Sequence, residues 1–191
     1  YSYIHLKMAL VRLMLNFKYV NKLERPFIYF PLHVPNDISL TLRAKSFYNQ
    51  FKLIDKILKY IPKNYKLVVK EHPSFIGRYD YKEILEREKN EQFILINPKT
   101  NSYDLIKKSS LIITINSKSG FEAILQNKKI MSFANSFYET FQKKDKINNI
   151  KDLKIIIKNK KNNNLKVQRY ISSFWNFTYE GELFNLKKSN I

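Results

Sequence analysis

Two stretches of this sequence bring together side chains able to hold a phosphate. The first is Asn116-Ser117-Lys118-Ser119-Gly120, between a β-rich apolar run, Leu111 to Ile115, and an apolar helical pattern through Phe121, Ala123, Ile124 and Leu125. A strand that turns through small polar residues straight into a helix leaves backbone N–H groups unpartnered at the helix start. Those groups and the helix dipole receive a phosphate or carboxylate. Ser117 and Ser119 add hydroxyls, Lys118 adds charge, and Gly120, one of only 3 glycines, allows close backbone approach to a ligand. Ser119-x-x-Glu122 also reads as a capping box, which would do no more than start the helix.

The second stretch is Lys70-Glu71-His72-Pro73, where an ammonium and an imidazole stand two residues apart. The bland reading of His72 is a hydrogen bond to a loop carbonyl. Glu122, one turn into the later helix, can accept hydrogen bonds from ribose hydroxyls. The combined set suits a nucleotide monophosphate or diphosphate sugar. Other chemistries lack their residues: there is no GxGxxG, P-loop lysine motif, HExxH or defensible Ser-His-Asp group. With no cysteine, and with His5, His33 and His72 scattered, neither a disulfide nor a metal site is expected.

The elements that must position these groups follow from periodicity. Tyr1 to Glu24 reads as a helix with Ile4, Met8, Val11, Leu15 and Val20 near helical spacing. Strands are expected at Phe27–Phe30, Lys66–Lys70, Phe93–Ile96, Leu111–Ile115 and Lys129–Phe133. Between them lie a long helix from about Leu40 to Tyr60, a polar helix around Asp80–Lys89, a short helix capped by Asn101 or Ser102, and helix Ser119–Gln126. Asp37 is placed to cap the long helix, His33 reads as loop structure, and Arg78 and Asp80 read as solvated charges. Beyond these, Tyr138–Lys146 is polar and Leu153–Ile157 helical, Lys158–Asn164 is a basic loop, and Val167–Phe177 is a closing helix carrying Tyr170, Phe174, Trp175 and Phe177. Strands alternating with helices predict a doubly wound, mostly parallel α/β sheet in the order 3-2-1-4-5. Its crevice lies between strands one and four at their carboxyl ends, where His33–Asp37, His72 and Asn116–Gly120 gather.

A chain of 191 residues, 44% hydrophobic, can bury one core of ordinary size. Its formal net charge of +19 favours an acidic partner: nucleic acid, an anionic bilayer or a phosphorylated substrate. Lys and Arg form no single stripe interleaved with aromatics, so a nucleic-acid module is the weaker reading. No apolar run approaches the roughly 20 residues that span a bilayer, and Met8–Phe17, interrupted by Arg12, does not read as a signal peptide. The basic first helix could lie on a membrane or pack on a neighbouring domain. The first residue is Tyr, and the chain is expected to be a piece of something longer.

Tyr29-Phe30-Pro31-Leu32-His33-Val34, Lys70-Glu71-His72-Pro73 and Ile113 to Ala123, with Lys128–Phe133 and Phe137-Tyr138 downstream, together resemble bacterial capsular and surface polysaccharide biosynthesis proteins. The match runs from Phe27 to Tyr138 in order. It departs at Asn36-Asp37, where the family often has Pro-Glu, and at Lys118, inserted among small residues. That family resembles GT-B glycosyltransferases related to the Kdo transferases, whose carboxyl-terminal half binds the nucleotide-sugar donor. The resemblance implies a Rossmann-like half: a lead-in helix over 1–25, a nucleotide-sugar domain over 26–160, and a closing helix and tail over 161–191. It implies His72, Ser117 and Ser119 at the donor phosphate, with Lys70, Asn116, Lys118 and Gly120 beside them. Glu122 and Pro73 would lie near the ribose and nucleotide, and His33 and Asp37 are accessory. The donor is expected to be CMP-linked, the acceptor a saccharide or lipid-linked, and the general base to lie outside this chain. No cofactor or metal is expected. The location is cytoplasmic, with peripheral contact to the anionic inner membrane. Alternatives are a CDP-alcohol polyol-phosphate transferase and a UDP-sugar epimerase.

Overall fold

The computed structural model describes residues 2–16, 18–23, 26–138, 150–158, 169, 171–173 and 175–176, with side chains from His5 onward. Its centre is a five-stranded parallel sheet in the order β3-β2-β1-β4-β5, as the alternation predicts. The strands are β1 (Phe27–Pro31), β2 (Lys66–Lys70), β3 (Phe93–Ile96), β4 (Leu111–Thr114) and β5 (Ile130–Ser132). Every residue of β1 and β4 is buried, because helices cover both faces of a parallel sheet.

One face packs Ile28, Phe30, Leu67 and Val69 against helices α1 (Ser2–Asn16), α3 (Gln50–Tyr60), α4 (Tyr81–Glu88) and α7 (Leu153–Lys158). The other packs Phe27, Tyr29 and Val68 against α5 (Ser102–Lys108) and α6 (Lys118–Leu125). Phe51, Ile54 and Ile57 form the apolar stripe of α3. Burying each such side chain stabilises the fold by roughly 1.5–3 kcal/mol.

The winding reversal opens for a reason visible in the backbone. Residue β1 Pro31 follows Phe30, and the next N–H, of Leu32, donates to Lys70 O of β2 at 2.9 Å. Alternation therefore aims the nitrogen of Pro31 at β4, where proline has no hydrogen to donate. Strand β1 accordingly pairs with β4 only at Ile28↔Leu111 and Tyr29↔Ile112, and the two strands part beyond that point.

Three expectations are corrected. The long helix from Leu40 is broken into α2 (Ile38–Thr41), a 3-10 turn at Lys45–Phe47, and α3. Ala44 leaves helical space at φ −143, ψ 45, and Asn49 starts a new helix by accepting from the Lys52 N–H at 3.1 Å. The first helix stops at Asn16, and Val20 instead forms a parallel bridge to Ile96 at the sheet edge. Helix α6 begins at Lys118 rather than Ser119, with Ser117 in the cap position. Of the later segments, residues 139–146 and 159–164, and residues 167, 168, 170, 174 and 177 of the expected closing helix, lie outside the described residues. Trp175 is exposed.

Candidate functional site

The loop after β1 is fixed at His33. Its N–H donates to Gln50 Oε1 at 2.7 Å, and its carbonyl accepts from Gln50 Nε2 at 2.9 Å and from the Tyr79 hydroxyl at 3.2 Å. The side chain is 6% exposed and its Nε2 has no partner. Burial pushes the imidazole down to about 4, Asp37 pulls it back up, and His72 lowers it further. Those influences put His33, Asp37 and His72 in one neighbourhood. Asp37 works as a cap: its Oδ1 accepts from the Ser39 N–H at 2.8 Å, and that bond chiefly holds its carboxyl below the usual range.

After β2 the chain enters Glu71-His72 and a 3-10 turn at Pro73–Phe75, with Pro73 in its first turn, where a missing N–H costs nothing. The His72 N–H donates to the Tyr79 hydroxyl at 3.2 Å, so Tyr79 ties this loop to His33. His72 Nδ1 accepts from the Ser74 N–H at 3.3 Å and lies 2.7 Å from Ser74 Oγ. An N–H can only donate, so Nδ1 is the acceptor and the neutral ring carries its hydrogen on Nε2. The exposed imidazole thus offers a donor to an anion.

Glu71 holds this loop from beneath. It is 1% exposed; Oε1 accepts from the Gly77 N–H at 3.0 Å and Oε2 from the Tyr19 hydroxyl. Burial pushes its carboxyl up, against these hydrogen bonds and the charge of Arg12. Gly77 has φ +71, and a Cβ there would fall 2.4 Å from Arg12 Cγ, so only glycine fits beside α1. Arg12 Nε donates to Ile76 O at 2.9 Å. The segment around α1 therefore shapes the loop that carries His72. An open groove of about 990 Å³ lies beside it, between α1 and Gly77–Lys82, with Tyr79 in its wall.

The loop after β4 joins the same cluster. Asn116 Nδ2 donates to Ser39 O of α2 at 2.9 Å, while Asn116 Oδ1 is buried without a partner. Ser117 turns back to the strand: its N–H donates to Thr114 Oγ1 at 3.0 Å and its Oγ accepts from the Thr114 hydroxyl at 2.8 Å. Consequently Ser117 makes no side-chain cap on α6, and the Ser119-x-x-Glu122 capping box does not form. The Gly120 N–H closes onto Ser117 O at 3.0 Å, whereas the amides of Lys118 and Ser119 stand at the positive end of the helix without an intrahelical carbonyl four residues back. Lys118 is exposed there, an unfavourable place for a cation unless an anion sits between. Gly120 also leaves room for an aromatic side chain. A Cβ on it would fall 2.3 Å from the hydroxyl of Tyr138, which donates to Ser117 O at 2.8 Å, so the space belongs to that ring.

Lys70 and Glu122 lie on the α5–α6 face. Lys70 Nζ donates to Thr100 O at 2.6 Å and to Ser102 Oγ at 2.7 Å, so its ammonium is engaged in stitching β2 to α5. Burial lowers its pKa and Glu122 opposes that. The same carboxylate, together with burial as the larger cause, pushes Tyr29 up to about 12. Sequence reasoning missed Gln50, Tyr79, Glu71 and Tyr138. Only Gln50 left a trace, as a polar residue on the buried side of a helical pattern. Among the described residues no group of His, Cys, Asp and Glu gathers to hold a metal ion.

Hydrogen bonds thus tie the three strand-end loops together, as the winding reversal requires. The family described as capsule polysaccharide biosynthesis protein matches residues 15–161, which include the whole sheet and these loops. The chain belongs to that family. Protein FixF of Sinorhizobium fredii is 30% identical over 115 residues, 59% of this chain and 27% of FixF. The capsule polysaccharide export protein KpsS of Escherichia coli is 27% identical over 129 residues, 63% of this chain and 33% of KpsS. The chain therefore spans about a third or less of the length of these curated relatives. Among solved structures, UDP-GlcNAc 2-epimerase from Methanocaldococcus jannaschii superimposes with a TM-score of 0.54 at 18% identity, over 87% of this chain and 49% of the epimerase. That likeness concerns the fold.

Proposed function

We propose that this capsule biosynthesis chain is the donor-binding part of a glycosyltransferase that uses a nucleotide-sugar, CMP-linked in the first instance. The observation that carries the reading is the start of α6. Its amides at Lys118 and Ser119 are uncapped by Ser117, and Lys118 adds charge; Asn116 holds Ser39, and Tyr79 holds both His33 and the His72 backbone N–H, so the segment from His33 to Ser39 joins this loop to the one that carries His72. As the sugar C–O bond breaks, its electron pair passes to the phosphate oxygen. Amides and an imidazole N–H aimed at that oxygen stabilise the growing charge. The acceptor, saccharide or lipid-linked, and the general base are assigned to the rest of the enzyme, at the cytoplasmic side of the membrane. The set needs no metal, because backbone and His72 donors supply the positive field.

Isothermal titration with CMP and UDP tests this. The chain should bind at least one saturably, and His72→Ala should lose about tenfold or more in affinity, the worth of one hydrogen bond to a charged group. A folded chain that binds neither nucleotide contradicts the reading. The fold likeness to an epimerase supports a second reading, in which the same phosphate site serves a UDP-sugar isomerisation. Product analysis with a labelled donor separates them: transfer releases the nucleotide, whereas epimerisation returns it still attached.

A further inference from the structure

Tyr79 is bonded to both histidine loops. Its hydroxyl accepts from the His72 N–H at 3.2 Å and donates to the His33 carbonyl at 3.2 Å. A hydroxyl is donor and acceptor at once, so it can stand between an N–H and a C=O where a bare ring could not. The ring that carries it is fixed: it is 5% exposed, and Phe75 packs edge-on against it with centroids 5.0 Å apart. Burial pushes the phenol up, so the hydroxyl keeps its proton and goes on donating at neutral pH. The His33 loop is braced from two other directions. Gln50 holds the His33 backbone, and Asn116 Nδ2 donates to Ser39 O at 2.9 Å. Asn116 stands two residues before Lys118. A path of hydrogen bonds and short backbone therefore runs from His72 to the start of α6, and the Tyr79 hydroxyl is its first link.

We propose that Tyr79 is a positioning residue of the phosphate site: its hydroxyl holds the His72 imidazole in a set place relative to the amides of Lys118 and Ser119, so that the two bind one phosphate together. The inference rests on the reading of that site given above. Tyr79 acts through His72, because its own hydroxyl is already engaged on both sides. Donors held in place before the ligand arrives lose less freedom on binding than donors that must be gathered by it.

Tyr79→Phe keeps the ring and removes the hydroxyl. Isothermal titration should show about three- to tenfold weaker binding of whichever nucleotide, CMP or UDP, the wild type takes. In a His72→Ala background the same substitution should change the affinity no further. Nuclear magnetic resonance gives a signature that a merely structural role would not: in Tyr79→Phe the amides of Lys118 and Ser119 still respond to the nucleotide, while the His72 Nε2 no longer shifts along their curve. One measurement needs no variant. In the free wild-type chain the His72 N–H, on an exposed residue, should be protected from hydrogen exchange. Unchanged affinity in Tyr79→Phe, an equal loss in the His72→Ala background, a His72 Nε2 that still follows the α6 amides, or a rapidly exchanging His72 N–H overturns the inference and leaves the phosphate reading in place. Wild type that binds neither nucleotide overturns that reading, and this inference with it.

Discussion

At His33 the fold buries an imidazole whose backbone is bonded on both sides and whose Nε2 has no partner. The pH dependence follows directly. The folded value is about 4 and the reference value 6.5, so the unfolded chain binds the extra proton first as pH falls. Stability from this residue is complete above pH 6.5 and is lost progressively down to about pH 4, by on the order of 3 kcal/mol. Denaturant titrations between pH 7 and pH 4 should show that loss in wild type and a flatter profile in His33→Gln. Subtracting the variant removes other titrations, including Glu71, whose raised carboxyl acts in the opposite direction. Identical profiles would contradict the burial. Gly120 gives a second test. Adding a methyl group where the Tyr138 ring lies should cost about 1–3 kcal/mol in Gly120→Ala, and much less in a Tyr138→Val background. Equal costs in both backgrounds, measured by thermal unfolding, would mean that the ring does not fill that space.

Among the elements, the loop that carries His72 is shaped from outside the sheet. The Glu71 carboxylate joins Tyr19, beyond α1, to the Gly77 turn, and Arg12 holds Ile76 from the helix itself. Replacing Glu71 by Gln keeps the volume but sets an amide where a two-bond acceptor was. It should cost about 1–3 kcal/mol of stability. It should also shift the ring resonances of His72 and weaken nucleotide binding, although Glu71 is too buried to touch a ligand. Unmoved His72 resonances would show that the clamp is local. This coupling was not legible in the sequence. Periodicity reads Val20 as a continuation of a helix, and only tertiary pairing with Ile96 reveals that the segment has become extended. The same limit broke the helix expected from Leu40: Phe51, Ile54 and Ile57 do form an apolar stripe, yet Asn49 offered a competing cap that a hydrophobic pattern does not register.

Across the whole molecule, the sheet was legible because each strand is a short β-branched or aromatic run bounded by polar or Pro residues, and alternation with helices leaves few topologies. The meeting of His33, His72 and Asn116–Ser119 at one end followed from that topology rather than from any motif alone. What stayed hidden was which face a strand-end side chain takes. Lys70 and His72 are two residues apart, yet the ammonium is engaged with Thr100 and Ser102 while the imidazole is exposed. The central claim is that the uncapped start of α6 and the His72 ring form one receptor for a nucleotide phosphate. Nuclear magnetic resonance titration of the isotope-labelled chain with CMP and with UDP measures it most directly. The amides of Lys118 and Ser119 and the His72 Nε2 should shift together along one saturation curve, with the groove residues Lys7 and Lys82 unmoved. Shifts confined to that groove, or none at α6 on saturation, would contradict it.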